Sequence, residues 1–387
     1  MICGNIVPLW QLFNMEKNVS FAGLSNNFPA VLKQRVEDYF KSNNIRQTGN
    51  PRLYTKTIVL IATCFLSYIL IVFGNFAFIY KCLLGVVFGL TNAGIGFCVM
   101  HDGAHGSYSQ KPWVNNLMGY TLNLFGGSVF FWKIKHNVIH HNFTNIEGHD
   151  DDINLRPLMR TCEHQPYHKM HRLQHVYGVF LYSLTTIWWI LFRDFLKYFS
   201  GRIAAKKIGK MPFKEHAIFW ITKAHYFTSF LIIPILMMGF AKAILFFLIW
   251  NFSMGFALAI VFQLAHVVED TEFPLPAEGS NKVNHDWFYH QFATTANFAT
   301  QNPVITWYTG GLNFQVEHHL FPRISHVHYP ALHPIVKKTC AEFSVPYNEF
   351  PTMWGAVYSH FTVLKHLGKE AHPGSVSKNS AVSIAGV

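Results

Sequence analysis

Histidine is the residue type in this sequence that is best suited to chemistry. The chain has 23 histidines against 20 acidic residues, and several of them stand in short clusters. His101 and His105 are four residues apart, as are His136 and His140. On a helix this spacing puts both imidazoles of a pair on one face, where they can clamp a metal ion. His141 follows directly and points elsewhere, which predicts a second metal ion.

A third cluster and one separate histidine complete the set. His318 and His319 are adjacent, and His266 ends a long apolar segment, as His101 does. A single histidine is more often an ordinary surface or core residue than a ligand, but three clusters at such positions are hard to obtain by chance. We therefore predict a metal centre. Imidazole binds iron, zinc, copper and nickel, so the ligands alone do not choose the metal.

Long apolar segments predict the helices that position these clusters. Hydrophobic residues make up 50% of the chain and charged residues 13%, well below the fraction of about a quarter in soluble proteins. Two pairs of segments that are uncharged apart from His225 are separated by Lys81 and by Lys242. A membrane crossing needs about 20 such residues. The prediction is an all-α integral membrane protein with four transmembrane helices in two hairpins, near residues 57–73, 76–100, 224–241 and 243–265.

The distribution of positive charge predicts which side the histidines face. Lysine and arginine number seven in residues 1–56, fifteen in 101–223 and seven in 266–387. All but Lys81 and Lys242 would therefore share one side, which the positive-inside rule makes the cytoplasm. The histidine clusters would lie there too, in a helical cap. The net charge of +11 then suits anionic lipid, and no nucleic-acid-binding signature accompanies it.

Two further apolar segments are predicted to lie on the membrane without crossing it. A single crossing at residues 176–192 would put the later histidines opposite the earlier ones, so this segment is interpreted as an interfacial helix. Residues 117–132, interrupted by Gly126 and Gly127, receive the same interpretation. The expected domains are a cytoplasmic N-terminal segment (1–56), a membrane domain (57–345) and a C-terminal segment with a disordered tail (346–387).

Several other kinds of site are excluded by the sequence. Its six cysteines form no Cys-x-x-Cys motif, which argues against a disulfide framework, a zinc ribbon and haem attachment. The sequence also lacks four other motifs: the Glu-x-x-His repeats of soluble di-iron bundles, a zinc-protease helix, a nucleophile elbow and a phosphate loop. Four histidines at helical spacing in a basic amphipathic stretch are interpreted as interfacial: His164, His168, His171 and His175.

The three clusters resemble the histidine boxes of the membrane fatty acid desaturase family. The motifs are HDGAH at residues 101–105, HNVIHH at 136–141 and QVEHH at 315–319, in this order between the paired apolar segments. The glutamine that opens the third box and the Leu-Phe-Pro that follows it resemble the front-end acyl desaturases. These insert a double bond between an existing one and the carboxyl end. The resemblance covers roughly residues 50–345.

The resemblance implies two non-haem irons, with O2 as a co-substrate. His266, in QLAH at residues 263–266, is similar to an additional ligand that the family places after its fourth span. The implied ligands are therefore His101, His105, His136, His140, His141, His266, His318 and His319. Gln315 stands where many relatives have a histidine and is not counted as a ligand.

Other residues are expected to support the ligands. Asp102 and Glu317 could accept hydrogen bonds from ligand imidazoles, which fixes the tautomer and raises basicity. Gln315 and Asn297 are further candidates beside the metals. The acidic stretch 148–153 resembles one that follows the second box in relatives, where it either structures the box or is a solvated loop. Four residues before the third box are expected either to approach the iron or the acyl chain or to pack in the core: Trp287, Gln291, Thr294 and Asn297.

The activity implied is O2-dependent desaturation of an acyl chain carried by a membrane lipid or by coenzyme A. HPGS at residues 372–375 nearly repeats the haem motif of cytochrome b5, but too little sequence surrounds it for that domain. A separate electron donor of the ferredoxin or cytochrome b5 type, with its reductase, is expected. A hydroxylase or other mono-oxygenase on the same scaffold is the main alternative, followed by a zinc membrane hydrolase and a metal transporter. Chain length, double-bond position, acyl carrier and oligomeric state stay open.

Overall fold

The computed structural model describes residues 19–24, 26–204, 206–277 and 280–369. The tail for which we predict disorder lies outside the described residues, as do residues 1–18. The described part is mostly helical. In chain order its helices are α1 (Phe28–Ser42), α2 (Pro51–Phe73), α3 (Phe78–His105), α4 (Pro112–Gly119), α5 (Thr121–Leu124), α6 (129–143), α7 (Lys169–Ser183), α8 (Thr185–Ser200), α9 (Phe213–Met238), α10 (Phe240–His266), α11 (Trp287–Ala293), α12 (Pro303–Tyr308), α13 (Gln315–Leu320), α14 (Tyr329–Glu342) and α15 (Met353–Leu367).

Short strands join loops at three places in the described chain. β1 (Ser20–Phe21) pairs in parallel with β4 (Lys282–Val283), and β2 (Arg202–Ile203) pairs antiparallel with β3 (Lys206–Lys207). β5 (Asn297–Phe298) pairs in parallel with β6 (Glu349–Phe350). This last pairing fixes the loop before α13 against the segment that precedes α15.

Four helices of the described chain are long and apolar enough to cross a membrane: α2, α3, α9 and α10. The prediction of a mostly helical membrane protein with four candidate spans is confirmed. α2 begins at Pro51, earlier than its uncharged segment, because the Asn50 side chain accepts a hydrogen bond from the Arg52 amide and proline suits a first turn. α9 begins at Phe213, so it includes charged turns that a hydropathy window leaves out.

The second and fourth candidate spans, α3 and α10, pack in close backbone contact. A Cβ atom on Gly89 would lie 2.5 Å from the Trp250 carbonyl oxygen and 2.8 Å from the Ser253 Cβ. Only glycine therefore allows this approach. Phe88 and Trp250 pack beside it, with ring centroids 5.3 Å apart and the rings tilted by 52°. Both helices end in a predicted ligand, so their packing brings those two histidines to one end of the helix pair.

The two apolar segments interpreted as interfacial are not long straight helices. Residues 176–192 fall in α7 and α8, which meet at a bend of 61° and together are apolar enough for a fifth, broken span. Residues 117–132 are interrupted at Gly126, whose φ of +90° suits glycine and whose Cβ would lie 2.6 Å from the Tyr226 ring. The C-terminal helix α15 packs against α7, where the Tyr182 hydroxyl lies 2.7 Å from His360 Nε2.

Candidate metal centre

Four helices carry the eight histidines, and two of them change their winding at the boxes. A π-helical turn, Gly96–Met100, precedes His101 in α3, and another, Ile134–His140, contains most of the second box in α6. Such turns are frequent at functional sites because they rotate the side chains that follow. α10 ends at His266, and α13 supplies the third box.

A glycine between the two ligands of the first box admits a neighbouring helix. A Cβ on Gly103 would lie 2.6 Å from the Gly119 amide nitrogen and 2.8 Å from the Asn115 carbonyl oxygen. Helix α4 can therefore pack directly against the backbone of the box. This contact leaves the opposite face of the helix, with His101 and His105, turned toward the other histidines.

The structure brings all eight histidines together in one buried cluster. The first histidine group is His101, His105, His136 and His318, and the second histidine group is His140, His266 and His319. Within each group, one ligand atom from every side chain lies within 4.8 Å of the others. His141 lies between the groups and forms a set of the same size with His318 and His319.

The ring nitrogens face one another in a way that suits bound cations. His136 Nε2 lies 3.3 Å from both His101 Nε2 and His141 Nε2. In a neutral ring, Nε2 carries either one hydrogen or one lone pair, so His136 Nε2 can make a good hydrogen bond to only one of these two neighbours. His105 Nε2, His140 Nε2 and His318 Nε2 are buried and have no hydrogen-bond partner among the described residues. Unpaired buried acceptors are costly, and a metal ion would satisfy them.

The electrostatics of the histidine cluster favour neutral imidazoles. Burial, followed by neighbouring histidines, holds the pKa well below its ordinary value in His136, His141, His318 and His319. Neutral rings present lone pairs without first releasing a proton, as metal binding requires. Burial also acts to lower the pKa of His140, but the Asp150 carboxylate outweighs it and the net shift is upward.

Outer hydrogen bonds orient every ring of the second histidine group. His140 Nδ1 lies 2.9 Å from Asp150 Oδ2, and His319 Nδ1 lies 2.9 Å from Gln291 Oε1. His266 Nδ1 lies 3.2 Å from the backbone oxygen of Thr294. An Nδ1–H that donates to these acceptors leaves Nε2 free to bind a metal and fixes the tautomer.

The first histidine group is supported mainly by ring contacts. The Trp132 indole stacks on His136, with centroids 4.4 Å apart and an interplanar angle of 25°. Trp132 also meets the edges of His101 and His105 at 5.6 and 5.8 Å. His318 Nδ1 lies 3.3 Å from the Tyr329 hydroxyl, a longer contact than those of the second group.

Asp102 and Glu317 lie beside the boxes, but their hydrogen bonds go elsewhere. The Ser325 hydroxyl donates to Asp102 Oδ2 at 2.6 Å, and His326 Nδ1 lies 3.1 Å from the same oxygen. Glu317 accepts from the Tyr347 hydroxyl at 2.6 Å. These partners of the two carboxylates are side chains outside the histidine groups. The acids nearest to a predicted ligand ring are instead Asp150 and Asp152, whose carboxylates lie 2.9 and 3.7 Å from His140 Nδ1.

The two amide candidates have different surroundings. Asn297 donates from Nδ2 to Glu317 Oε2 at 2.8 Å and accepts from the Val316 amide at 2.9 Å, so it holds the third box in place. Gln315 Nε2 lies 2.8 Å from His266 Nε2 and 3.3 Å from His319 Nε2. Gln315 therefore borders the second histidine group directly.

Some supporting residues lie in segments that the sequence puts forward as candidates with two alternative roles. The acidic stretch 148–153 provides Asp150, and the segment before the third box provides Gln291 and the Thr294 carbonyl. Tyr329 and Trp132 carried no signal, because only the fold brings them to the ligands. The four spaced histidines from His164 to His175 are not among the groups that could hold a metal in the described part of the chain.

An apolar cavity of about 250 Å³ borders the first histidine group. His101, His136 and Gln315 line it, together with apolar side chains of α3 and α10 such as Phe97 and Leu258. Its polar end contains residues of the acidic stretch and basic side chains: Lys135, Asp151, Asp152, Arg193 and Lys197. A long apolar ligand in this cavity would pass the imidazoles.

A mostly helical chain with four candidate spans, a buried polyhistidine cluster and an apolar cavity beside it defines an integral membrane protein that could bind metal ions and a lipid chain. The model of the family "Fatty acid desaturase" matches residues 76–351. The chain belongs to the fatty acid desaturase family, which confirms the resemblance of the boxes.

Characterised relatives match most of the chain. An acyl-lipid (8-3)-desaturase of Physcomitrium patens is 39% identical over 94% of this chain and 77% of its own length. An sn-1 linoleoyl-lipid 6-desaturase of Arthrospira platensis is 36% identical over 89% of this chain and 94% of its own length. An acyl-lipid (8-3)-desaturase of Mortierella alpina is 32% identical over 88% of this chain and 78% of its own length.

Proposed function

We propose that this fatty acid desaturase uses O2 to introduce a cis double bond into an acyl chain carried by a membrane lipid. The observation that carries the proposal is the convergence of eight histidines, seven of them buried and His105 half-buried, beside an apolar cavity that two of them line. The relatives support a lipid-borne substrate, because their names specify acyl-lipid and linoleoyl-lipid desaturases. Their names also support the front-end type of reaction.

The eight histidines are proposed to hold two irons, one in each histidine group, with His141 between them. Family membership supports iron, and the unpartnered buried nitrogens of His105, His140 and His318 support a bound cation. Two irons held in this way would supply the oxidising power to remove one hydrogen from each of two neighbouring methylenes. The remaining two electrons, taken up with two protons, would come from the separate donor, so that O2 leaves as two waters. Neutral imidazoles leave the positive charge of the irons uncancelled, which suits that task.

The surrounding side chains bind and orient the acyl chain. Phe97 of α3 and Leu258 of α10 give the cavity apolar walls that exclude water from the reacting carbons. The basic and acidic side chains at the polar end of the cavity suit the ester and headgroup end of a lipid. A chain bound in this orientation passes His101 and His136 with its reacting carbons near the carboxyl end, as a front-end desaturase requires.

The proposed topology is two hairpins with the boxes on the cytoplasmic side. Only residues 74–77 separate α2 from α3, and only Gly239 separates α9 from α10, so each pair suits a helical hairpin. The charge distribution supports the cytoplasmic side for the boxes. Electrons would then come from a separate cytoplasmic donor of the ferredoxin or cytochrome b5 type.

Lipid analysis of cells that express the protein tests this function. Cells with the wild-type chain should accumulate a new unsaturated acyl chain in their membrane lipids under air, and cells with His141→Ala should not. His225→Ala, a change at an exposed histidine outside the cluster, is the matched control and should behave as wild type. A hydroxylated product, or no new acyl chain from a stably expressed protein, would contradict desaturation.

A further inference from the structure

A second cavity lies at the start of the first candidate span, away from the proposed acyl cavity. Its volume is about 840 Å³. Residues of α2, of α12 and of the turn before α14 line it, among them Arg52, Lys56, Gln301, Trp307 and His326. Two of these side chains are cations, and none of the lining residues is an acid.

Lys56 is the unusual group in this wall. It is only 6% exposed, and its Nζ lies 3.0 Å from His326 Nε2 and 5.4 Å from the centre of the Trp307 ring. No ion pair to a carboxylate joins it within 4 Å among the described residues. A buried ammonium group is costly unless a negative partner offsets it. The cavity therefore has a buried positive charge that an anionic ligand would balance.

A third cavity, lined by residues of the acidic stretch 148–153 and by basic side chains, differs from the cavity at Lys56 because its cations are already paired. Its lining includes Asp150 and Asp151 as well as arginines and a lysine. There Arg193 pairs with Asp151, and Arg156 pairs with Glu147 at 3.2 Å. Those cations already have carboxylate partners, so that cavity needs no external anion. The contrast selects the cavity at Lys56 as the anion site.

The position of the cavity indicates a lipid as the source of the anion. Lys56 lies in the second turn of α2, a candidate span whose next turn exposes Val59. Trp307 is 44% exposed, and the neighbouring Tyr308 hydroxyl donates to the Leu90 carbonyl in α3, another candidate span. Tryptophan and basic side chains at the ends of spans mark the depth of lipid headgroups.

We propose that this cavity binds the phosphate group of an anionic glycerophospholipid, held by the Lys56 ammonium and the Arg52 guanidinium. The acyl chains of that lipid would lie along the exposed face of α2. His326 connects the site to the first box, because its other ring nitrogen lies 3.1 Å from Asp102 Oδ2. Lys56 is thus two contacts from Asp102, the residue that follows His101. The bound lipid is distinct from the lipid that enters the acyl cavity.

Lipid retention by the purified iron-loaded protein tests the site. The protein is incorporated into nanodiscs of phosphatidylcholine with or without phosphatidylglycerol, transferred to detergent and analysed by native mass spectrometry. Wild type should retain a phosphatidylglycerol molecule, and Lys56→Gln should weaken retention about tenfold, as expected for a charge-assisted hydrogen bond. Arg52→Gln, a change at an exposed residue that leaves the core intact, should weaken retention in the same direction.

Lys242→Gln is the control, because Lys242 is an exposed lysine in the first turn of α10, far along that helix from the box end. It should retain the lipid as wild type does. Equal retention by wild type, Lys56→Gln and Arg52→Gln would overturn the proposal. A second measurement compares how far inorganic phosphate and phosphatidylglycerol each raise the unfolding temperature of the wild-type protein. An equal rise with inorganic phosphate alone would also overturn the proposal, since it would assign the site to free phosphate.

Discussion

The two histidine groups use the same kind of ligand but are supported in different ways. In the second group each ring has an outer hydrogen bond on Nδ1, to Asp150, Gln291 or the Thr294 carbonyl. In the first group the main supports are the Trp132 stack and a 3.3 Å contact of His318 with Tyr329.

This difference coincides with a difference in surroundings. Two residues of the first group, His101 and His136, line the apolar cavity. His140, His266 and His319 do not line it and are fully buried. A ring fixed by a hydrogen bond is preorganised for a metal, and a ring held by stacking keeps freedom to adjust. We therefore propose that the second group is the more rigid half of the centre and that the first group, which borders the proposed acyl cavity, is the half that meets the acyl chain.

Removal of one ligand from each group should have the largest effect. His105→Ala and His266→Ala should each lower desaturation at least about a hundredfold, since loss of a ligand costs more than the loss of an outer partner. Turnover and iron per chain measure this. A His105→Ala or His266→Ala protein that keeps its full iron content and activity would show that its group is not a metal site. His225→Ala is the control for a change at an exposed histidine.

Loss of the outer carboxylate should affect the second group next most strongly. Asp150→Asn keeps the size of the side chain but removes the charge that orients and polarises His140. Metal affinity should fall about 10- to 100-fold, measured by iron retention during titration with a chelator. Asp270→Asn, a change at an exposed acid, should leave retention unchanged. Unchanged retention in Asp150→Asn would contradict the assigned role.

Loss of the stacked ring in the first group should have a smaller effect. Trp132→Leu removes the contact with His136, and aromatic contacts of this kind contribute about 0.5–1.5 kcal/mol, or roughly two- to tenfold in affinity. The chelator titration used for Asp150→Asn measures it, with Trp113→Leu as the control at an exposed tryptophan. If Trp132→Leu lost more iron affinity than Asp150→Asn, the first group and not the second would depend more strongly on its outer support.

Added bulk in the apolar cavity should change selectivity more than turnover. Gly96 lines the cavity, and a Cβ there would meet only Leu258 Cδ2, at an ordinary 3.5 Å. Gly96→Leu should therefore fold and shift the preferred acyl chain toward shorter lengths, measured by gas chromatography of the products. Ala62→Leu adds the same bulk on an exposed position of α2 and should not. The same product profile for both variants would argue against this cavity as the acyl site.

The clustering of the eight histidines could be predicted from the sequence because their pattern is local. Spacing on one helix and placement at the ends of uncharged segments singled out all eight histidines, and the family prediction is confirmed. The outer partners could be predicted only in part: the acidic stretch that contains Asp150 and the segment that contains Gln291 were candidates with alternatives left open. Tyr329 could not be predicted, because it reaches His318 only through the fold.

The carboxylates next to ligands show where local reasoning fails. Asp102 follows His101 directly, which suggested a contact between a carboxylate and a ligand ring. Residues adjacent in a helix point in directions about 100° apart, so Asp102 faces Ser325 and His326 instead. Glu317 precedes His318 and turns toward Tyr347 for the same reason.

Anomalous scattering at the iron edge from crystals of the purified protein tests the central claim most directly. Two iron peaks are expected, one among His101, His105, His136 and His318 and the other among His140, His266 and His319. A lone peak, or peaks that follow the zinc edge instead, would contradict a di-iron centre held by these two groups.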